Sequence, residues 1–136
     1  MSTLLAKIQI VSGKEAVFEE VMSSMYRQTH DREEGVLRYE YWRGSKPGFY
    51  YCLLSFESSL AFWRHQASDH HEGEMRRFRD CIAELDLEVI DPVSQASPLP
   101  VTRFTPCPES EPEAVREQAE LFPIALANWW RALRLQ

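Results

Sequence analysis

Residues 34–71 read EGVLRYEYWRGSKPGFYYCLLSFESSLAFWRHQASDHH. Two runs rich in β-branched and aromatic residues, 36–43 and 49–56, flank Gly44, Ser45, Lys46, Pro47 and Gly48. Runs of that composition favour strands, and five turn-forming residues suit a hairpin with a longer loop. After the second run, Ser58 can cap a helix carrying Leu60, Phe62, Trp63 and His65. A hairpin feeding a helix with Trp and His, followed by His70 and His71, makes this the stretch in which to look for function.

The first run decides more than its own conformation. Leu37, Tyr39 and Tyr41 share one face, while Arg38, Glu40 and Trp42 share the other. A sheet with one solvated face shows a cleaner alternation of polar and apolar residues. Aromatic mass on both faces predicts helices on one side and a second copy of the sheet on the other.

Upstream, apolar residues at 4, 6, 8 and 10 oppose Lys7 and Gln9, the period of a strand. Ser12 and Glu15 stand at capping-box spacing. Val17, Phe18, Val21, Met22, Met25 and Tyr26 then form one helical stripe, predicted to end near Thr29 ahead of the charged stretch 30–35. Downstream, residues 67–69 offer a break and a fresh N-cap. Met75, Phe78, Ile82 and Leu85 predict a further helix, and Leu85, Leu87 and Val89 lead into a strand ended by Pro92. The order is β-α-β-β-α-β, an α+β, ferredoxin-like domain over residues 1–93.

Residues 94–136 form a second region, a Pro-rich linker with a C-terminal helical extension. Residues 91–112 hold six of the eight prolines, which favours an extended strap over a packed element. Ser110 and Glu113 have capping-box spacing, so a helix should begin near 111, and Pro123 should interrupt it. The final helix, 124–133, is too apolar to be left in water and is expected to dock.

The 136 residues suffice for one domain with a proper core. A net charge of −6 and the lack of a basic run exclude a nucleic-acid surface and a polybasic membrane contact. No apolar run approaches the roughly 20 residues of a spanning helix, and Lys7 interrupts the first one, so a cytoplasmic protein is expected. Cys52, Cys81 and Cys107 lack CxxC spacing and suggest neither a disulfide framework nor a zinc knuckle.

Several phrases together resemble the antibiotic biosynthesis monooxygenase family, whose members include quinol monooxygenases. These are Ser12-Gly13-Lys14-Glu15 followed by Phe18, the run Glu34-Gly35-Val36-Leu37-Arg38-Tyr39-Glu40, the Phe56-Glu57-Ser58 turn, Leu60-Ala61, His65 three residues before Ser68, and His70 two after it. The resemblance implies a ferredoxin-like subunit whose sheet packs on a partner's in a dimeric α/β barrel, hence a homodimer. It also implies chemistry without metal, flavin or haem, on a small aromatic or quinone-like substrate that itself reduces dioxygen. Leu54 stands where relatives carry a Glu before the aromatic residue of the third strand, and His71 replaces a typical aromatic residue. Haem degradation is disfavoured, because that branch needs a first-strand Asn where this chain offers Lys7 and Gln9.

Such a site needs a base, an aromatic box and a donor for an oxyanion. Histidine suits the first task, and His65 and His70 occupy the family's positions. Tyr39, Tyr41, Trp42 and Trp63 are the candidate walls, and Arg38 the candidate oxyanion partner. Trp63 is equally a core residue by its helical spacing, and Tyr39 and Tyr41 could simply pack an interface. No metal site is expected from residues 69–72, since adjacent helical side chains diverge. A non-catalytic ligand- or protein-binding dimer and a related barrel isomerase remain as alternatives on the same fold.

Overall fold

The computed structural model describes residues 1–134. Nine elements follow in order: β1 (Ser2–Ile10), α1 (Glu15–Arg32), β2 (Val36–Arg43), β3 (Phe49–Phe56), α2 (Ser59–Gln66), α3 (Asp69–Cys81), β4 (Ile82–Ile90), α4 (Glu113–Leu121) and α5 (Asn128–Arg134). The four strands form one sheet in the order β2-β3-β1-β4, with every neighbouring pair antiparallel. This is the α+β, ferredoxin-like arrangement expected from the sequence, with the two C-terminal helices appended.

Alternation places one face of the sheet in the core. Leu4, Ala6, Ile8 and Ile10 of β1 and Tyr50, Cys52, Leu54 and Phe56 of β3 are all buried. Phe18, Val21, Met22 and Met25 of α1 and Phe78 and Cys81 of α3 complete this layer. Phe18 sits at its centre, 4.7 Å from the Tyr50 ring and 6.0 Å from Phe78 between ring centroids. Burying a side chain of that size is worth about 1.5–3 kcal/mol, so this layer holds the helices to the sheet. On the opposite face Leu5, Phe49 and Leu53 are only half buried and Trp42 is 58 % exposed. Lys7 bridges Asp86 and Glu88 there, at 3.7 and 3.2 Å.

Local chemistry departs from the sequence expectations in several places. α1 runs to Arg32 rather than Thr29, because the charged stretch carries no Gly or Pro until Gly35. The Ser12 capping box does not form. Lys14 occupies the N-cap, and Glu15 reaches back to accept from the Gly13 N–H at 2.9 Å. Ile82 and Leu85 belong to β4 and not to the preceding helix. The helix stops at Cys81 and the chain turns extended at once, with Ile82 at ψ 127°. A register shift between Val36 and Arg38 frees Leu37 from the ladder, so Leu37 is exposed while Tyr39 is buried. Ser58 and Ser68 do cap α2 and α3, accepting from Ala61 N–H at 3.0 Å and His71 N–H at 3.3 Å.

The strap is extended and closely held. Arg103 N–H donates to the Met1 carbonyl at 2.7 Å, and the Thr102 hydroxyl donates to Ile90 at 2.7 Å. α4 begins at Glu113 behind Pro112, without the Ser110 cap, and is anchored through buried Val115. Ile124 is buried, yet none of α5 is: Trp129 and Leu133 are exposed, so the expected docking of that helix is limited to its ends. Arg134 pairs there with Asp91 and donates to the Thr102 carbonyl at 2.8 Å. Among the described residues no helix is long and apolar enough to cross a membrane.

Candidate functional site

Three helical ends bring one carboxylate and two imidazoles together. Glu33 is the C-cap of α1, His65 lies in the last turn of α2, and His70 lies in the first turn of α3. The His65 Nδ1 is 2.8 Å from Glu33 Oε1, and the His70 Nε2 is 2.6 Å from the same oxygen. An ionised carboxylate only accepts, so both ring nitrogens facing it carry the hydrogens. Ser68, which donates to the His65 carbonyl at 2.7 Å, also sits 3.2 Å from His70 Nε2. His30 donates to the Tyr39 carbonyl at 3.1 Å and closes the outer side.

That proton placement leaves His65 with a bare lone pair. Its Nε2 is buried and has no hydrogen-bond partner. Burial lowers the His65 pKa to about 3, with the charge of His70 acting in the same direction. The ring is therefore neutral at ordinary pH, with Nδ1–H on the carboxylate and Nε2 free to accept. Burial also raises the Glu33 pKa, opposed by its hydrogen bond from His70. His71 is pushed down chiefly by burial and then by His65, whose ring centroid is 4.9 Å away.

His65 borders a small, partly open chamber of about 80 Å³ between sheet and helices. Tyr39, Tyr41, Leu54, His71, Met75 and Phe122 share its walls. The Tyr39 ring stands 4.8 Å from the His65 ring, and its hydroxyl is 2.8 Å from that of Tyr41. Burial raises both phenols well above their ordinary pKa, so they serve as neutral hydrogen-bonding groups. Tyr41 also lines a second, open cleft of about 710 Å³ between α1 and β2, with Phe18, Met22, Trp42 and the Arg43–Glu19 pair. The hydrogen bond from the Arg43 guanidinium holds the Glu19 pKa at about 2.

The sequence-based candidates thus fall into separate groups. His65, Tyr39 and Tyr41 meet at the chamber. His70 lines neither cavity and instead backs Glu33, while its neighbour His71 reaches the chamber. Trp42 borders the open cleft from the edge strand, although by alternation it belongs to the sheet face turned away from the helices. Trp63 is buried and lines neither; its Nε1 donates to the Phe122 carbonyl at 2.9 Å, making it an anchor for the C-terminal extension. Arg38 is tied to Glu40 at 2.7 and 2.8 Å and also lines neither, so it does not reach a phenolate in the chamber.

Glu33 and Phe122 were absent from the sequence candidates. Glu33, His65 and His70 also offer one ligand atom each within 4.8 Å, a set that suits a transition metal in kind. Both ring nitrogens already pair with the shared Glu33 Oε1 at hydrogen-bond distances, so a metal would have to displace both N–H protons.

The sequence model of the antibiotic biosynthesis monooxygenase family matches residues 1–77. No curated protein matches the chain. Among solved structures, a candidate antibiotic biosynthesis monooxygenase from Caulobacter crescentus is similar at 23 % identity, with a TM-score of 0.65 over 68 % of this chain and 90 % of that one. Rv0793 from Mycobacterium tuberculosis is similar at 16 % identity and a TM-score of 0.64, over 71 % and 98 %. PA3566 from Pseudomonas aeruginosa follows at 18 % and 0.63, over 68 % and 94 %. At such identities these likenesses concern the fold.

Proposed function

The chain belongs to the antibiotic biosynthesis monooxygenase family, and on that premise we propose that it is a cofactor-independent monooxygenase acting on a small phenolic or quinol-type molecule. The observation that carries this reading is the buried, unpartnered Nε2 of His65, on a ring that Glu33 orients and that lines an aromatic-walled chamber. A phenol presented to Nε2 shares its proton with the imidazole. The transfer is uphill, because burial holds the His65 pKa at about 3, and it is completed as dioxygen draws electrons from the ring. The resulting imidazolium lies against the Glu33 carboxylate, which stabilises the charge as in other acid–histidine pairs. The electron-rich phenolate then reduces dioxygen. One oxygen atom enters the ring to give a quinone and the other leaves as water, so the substrate supplies all the electrons. Of the paired Tyr39 and Tyr41 hydroxyls one donates to the other, which leaves a single neutral O–H to donate to the developing oxyanion.

The open cleft beyond Tyr41 is of a size that accommodates an organic molecule and is the proposed approach to the chamber. The half-exposed sheet face, with Trp42, Tyr51 and Leu53, supports a homodimer in which two sheets cover each other. Oxygen uptake on a panel of hydroquinones, naphthols and anthrones tests the reaction. Product formed equally without oxygen would end it.

A second reading has its own observation. Leu54, in place of the family's Glu, gives the chamber an apolar wall, and the chamber is small. A non-catalytic dimer that binds a small apolar ligand would need neither Glu33 nor His65. Ligand affinity unchanged by His65→Ala, with no oxygen uptake, would favour it.

A further inference from the structure

Phe122 reaches the His65 chamber from outside the region that defines the family, since the family match ends at residue 77. It is the C-cap of α4. Trp63 holds its carbonyl at 2.9 Å, and its ring meets Phe62 edge-on, at 6.3 Å and 76°. The chamber it helps to line measures about 80 Å³. An apolar cavity of about 150 Å³ admits benzene, so an aromatic ring finds too little room beside His65 as the chain stands.

We propose that Phe122 determines what the chamber admits: its phenyl group takes up room that the ring of a phenolic guest would need, and such a guest enters only as Phe122 withdraws. The inference rests on the chamber being the guest site of the proposed function. Removing a phenyl group frees a space of benzene's shape, adjoining the existing 80 Å³ and brought into the range where a single ring fits. The extension is suited to such an exchange. α4 contributes one buried residue, Val115, and its approach is pinned by the Arg64–Glu111 pair, of which the arginine is exposed. Guest affinity is then reduced by the fraction of molecules in which Phe122 is docked. Relatives whose match ends before this segment would lack the restriction.

The test uses the full chain and phenol under argon, so that binding is read without turnover. Calorimetry should find phenol bound at least about tenfold more tightly by Phe122→Ala than by wild type, with Phe122→Leu in between. In the wild type, phenol should accelerate amide exchange in α4 and at residues 122–124. Glu111→Gln, which leaves the chamber walls intact, should tighten binding a few-fold, and it decides the matter together with Phe122→Leu if the alanine variant fails to fold. Equal phenol affinity across these variants, or unchanged exchange in α4, overturns the proposal. So does loss of phenol binding in Tyr26→Ala, which would put the phenol in the open cleft that Tyr26 lines. Absence of oxygen uptake bears on the proposed function and leaves these binding outcomes readable.

Discussion

His65 and Glu33, thirty-two residues apart in sequence, meet at 2.8 Å between Nδ1 and Oε1. The pairing fixes the imidazole tautomer, and the tautomer fixes which nitrogen is free. The role proposed for His65 as the base follows from that one contact.

Glu33→Gln tests it without removing bulk. The amide can donate to Nδ1, which favours the opposite tautomer and places the proton on Nε2. Oxygen-dependent turnover should fall by roughly 10²- to 10⁴-fold while anaerobic phenol binding persists. Steady-state kinetics alongside anaerobic titration separate the two effects. Equal loss of both would indicate that Glu33 merely supports the fold.

Acid should destabilise the protein through His65. Its folded pKa, lowered by burial to about 3, lies below the unfolded value of 6.5. Between those values the unfolded state binds the extra proton, so this contribution is fully present above pH 6.5 and declines as pH falls towards 3. The slope approaches about 1.4 kcal/mol per pH unit for one such group. His71 acts in the same direction. Glu33, with a raised pKa, opposes them, its contribution being greatest when protonated and lost as pH rises through the folded value. Denaturant midpoints from pH 7 to 5 should fall in the wild type and fall less steeply in His65→Gln.

The extension should be coupled to the core through Trp63. Trp63→Phe removes the donor to the Phe122 carbonyl and leaves a partly buried acceptor unmet, at a cost of about 1–3 kcal/mol. Limited proteolysis should then cut near α4 before the sheet domain opens. By contrast Phe18→Ala, at the centre of the core, should cost about 3–5 kcal/mol and lower the midpoint of the whole chain.

Charge on the open sheet face should prevent association. Leu53 lies opposite Leu5 on β1 and Glu40 on β2, in the middle of that face. Leu53→Glu should give a folded monomer by sedimentation, where a dimer is expected for the wild type. A wild-type monomer at the same concentration would remove the barrel from the account.

Periodicity carried much of the fold in advance. The alternation in β1, the stripe on α1 and the turn residues 44–48 each correspond to an observed element. Boundaries without Gly or Pro were harder to see, which is why Ile82 and Leu85 looked helical. The site was less legible. His65 and His70 have a recognisable spacing, but Glu33 lay in a charged stretch that resembled a solvated loop. A carboxylate that meets its histidines only through the packing of three helix ends leaves no spacing signature. Arg38 and Trp63 show the converse: the right residue types near the right strand or helix, turned towards Glu40 and Phe122 instead.

The most direct measurement is oxygen consumption by wild type and His65→Ala on a hydroquinone and naphthol panel, with quinone formation followed in parallel. The wild type should consume one oxygen per quinone formed, and the variant should turn over at a rate at least about 100-fold lower. Identical rates in the two proteins, or quinone formed as fast under argon, would contradict that mechanism.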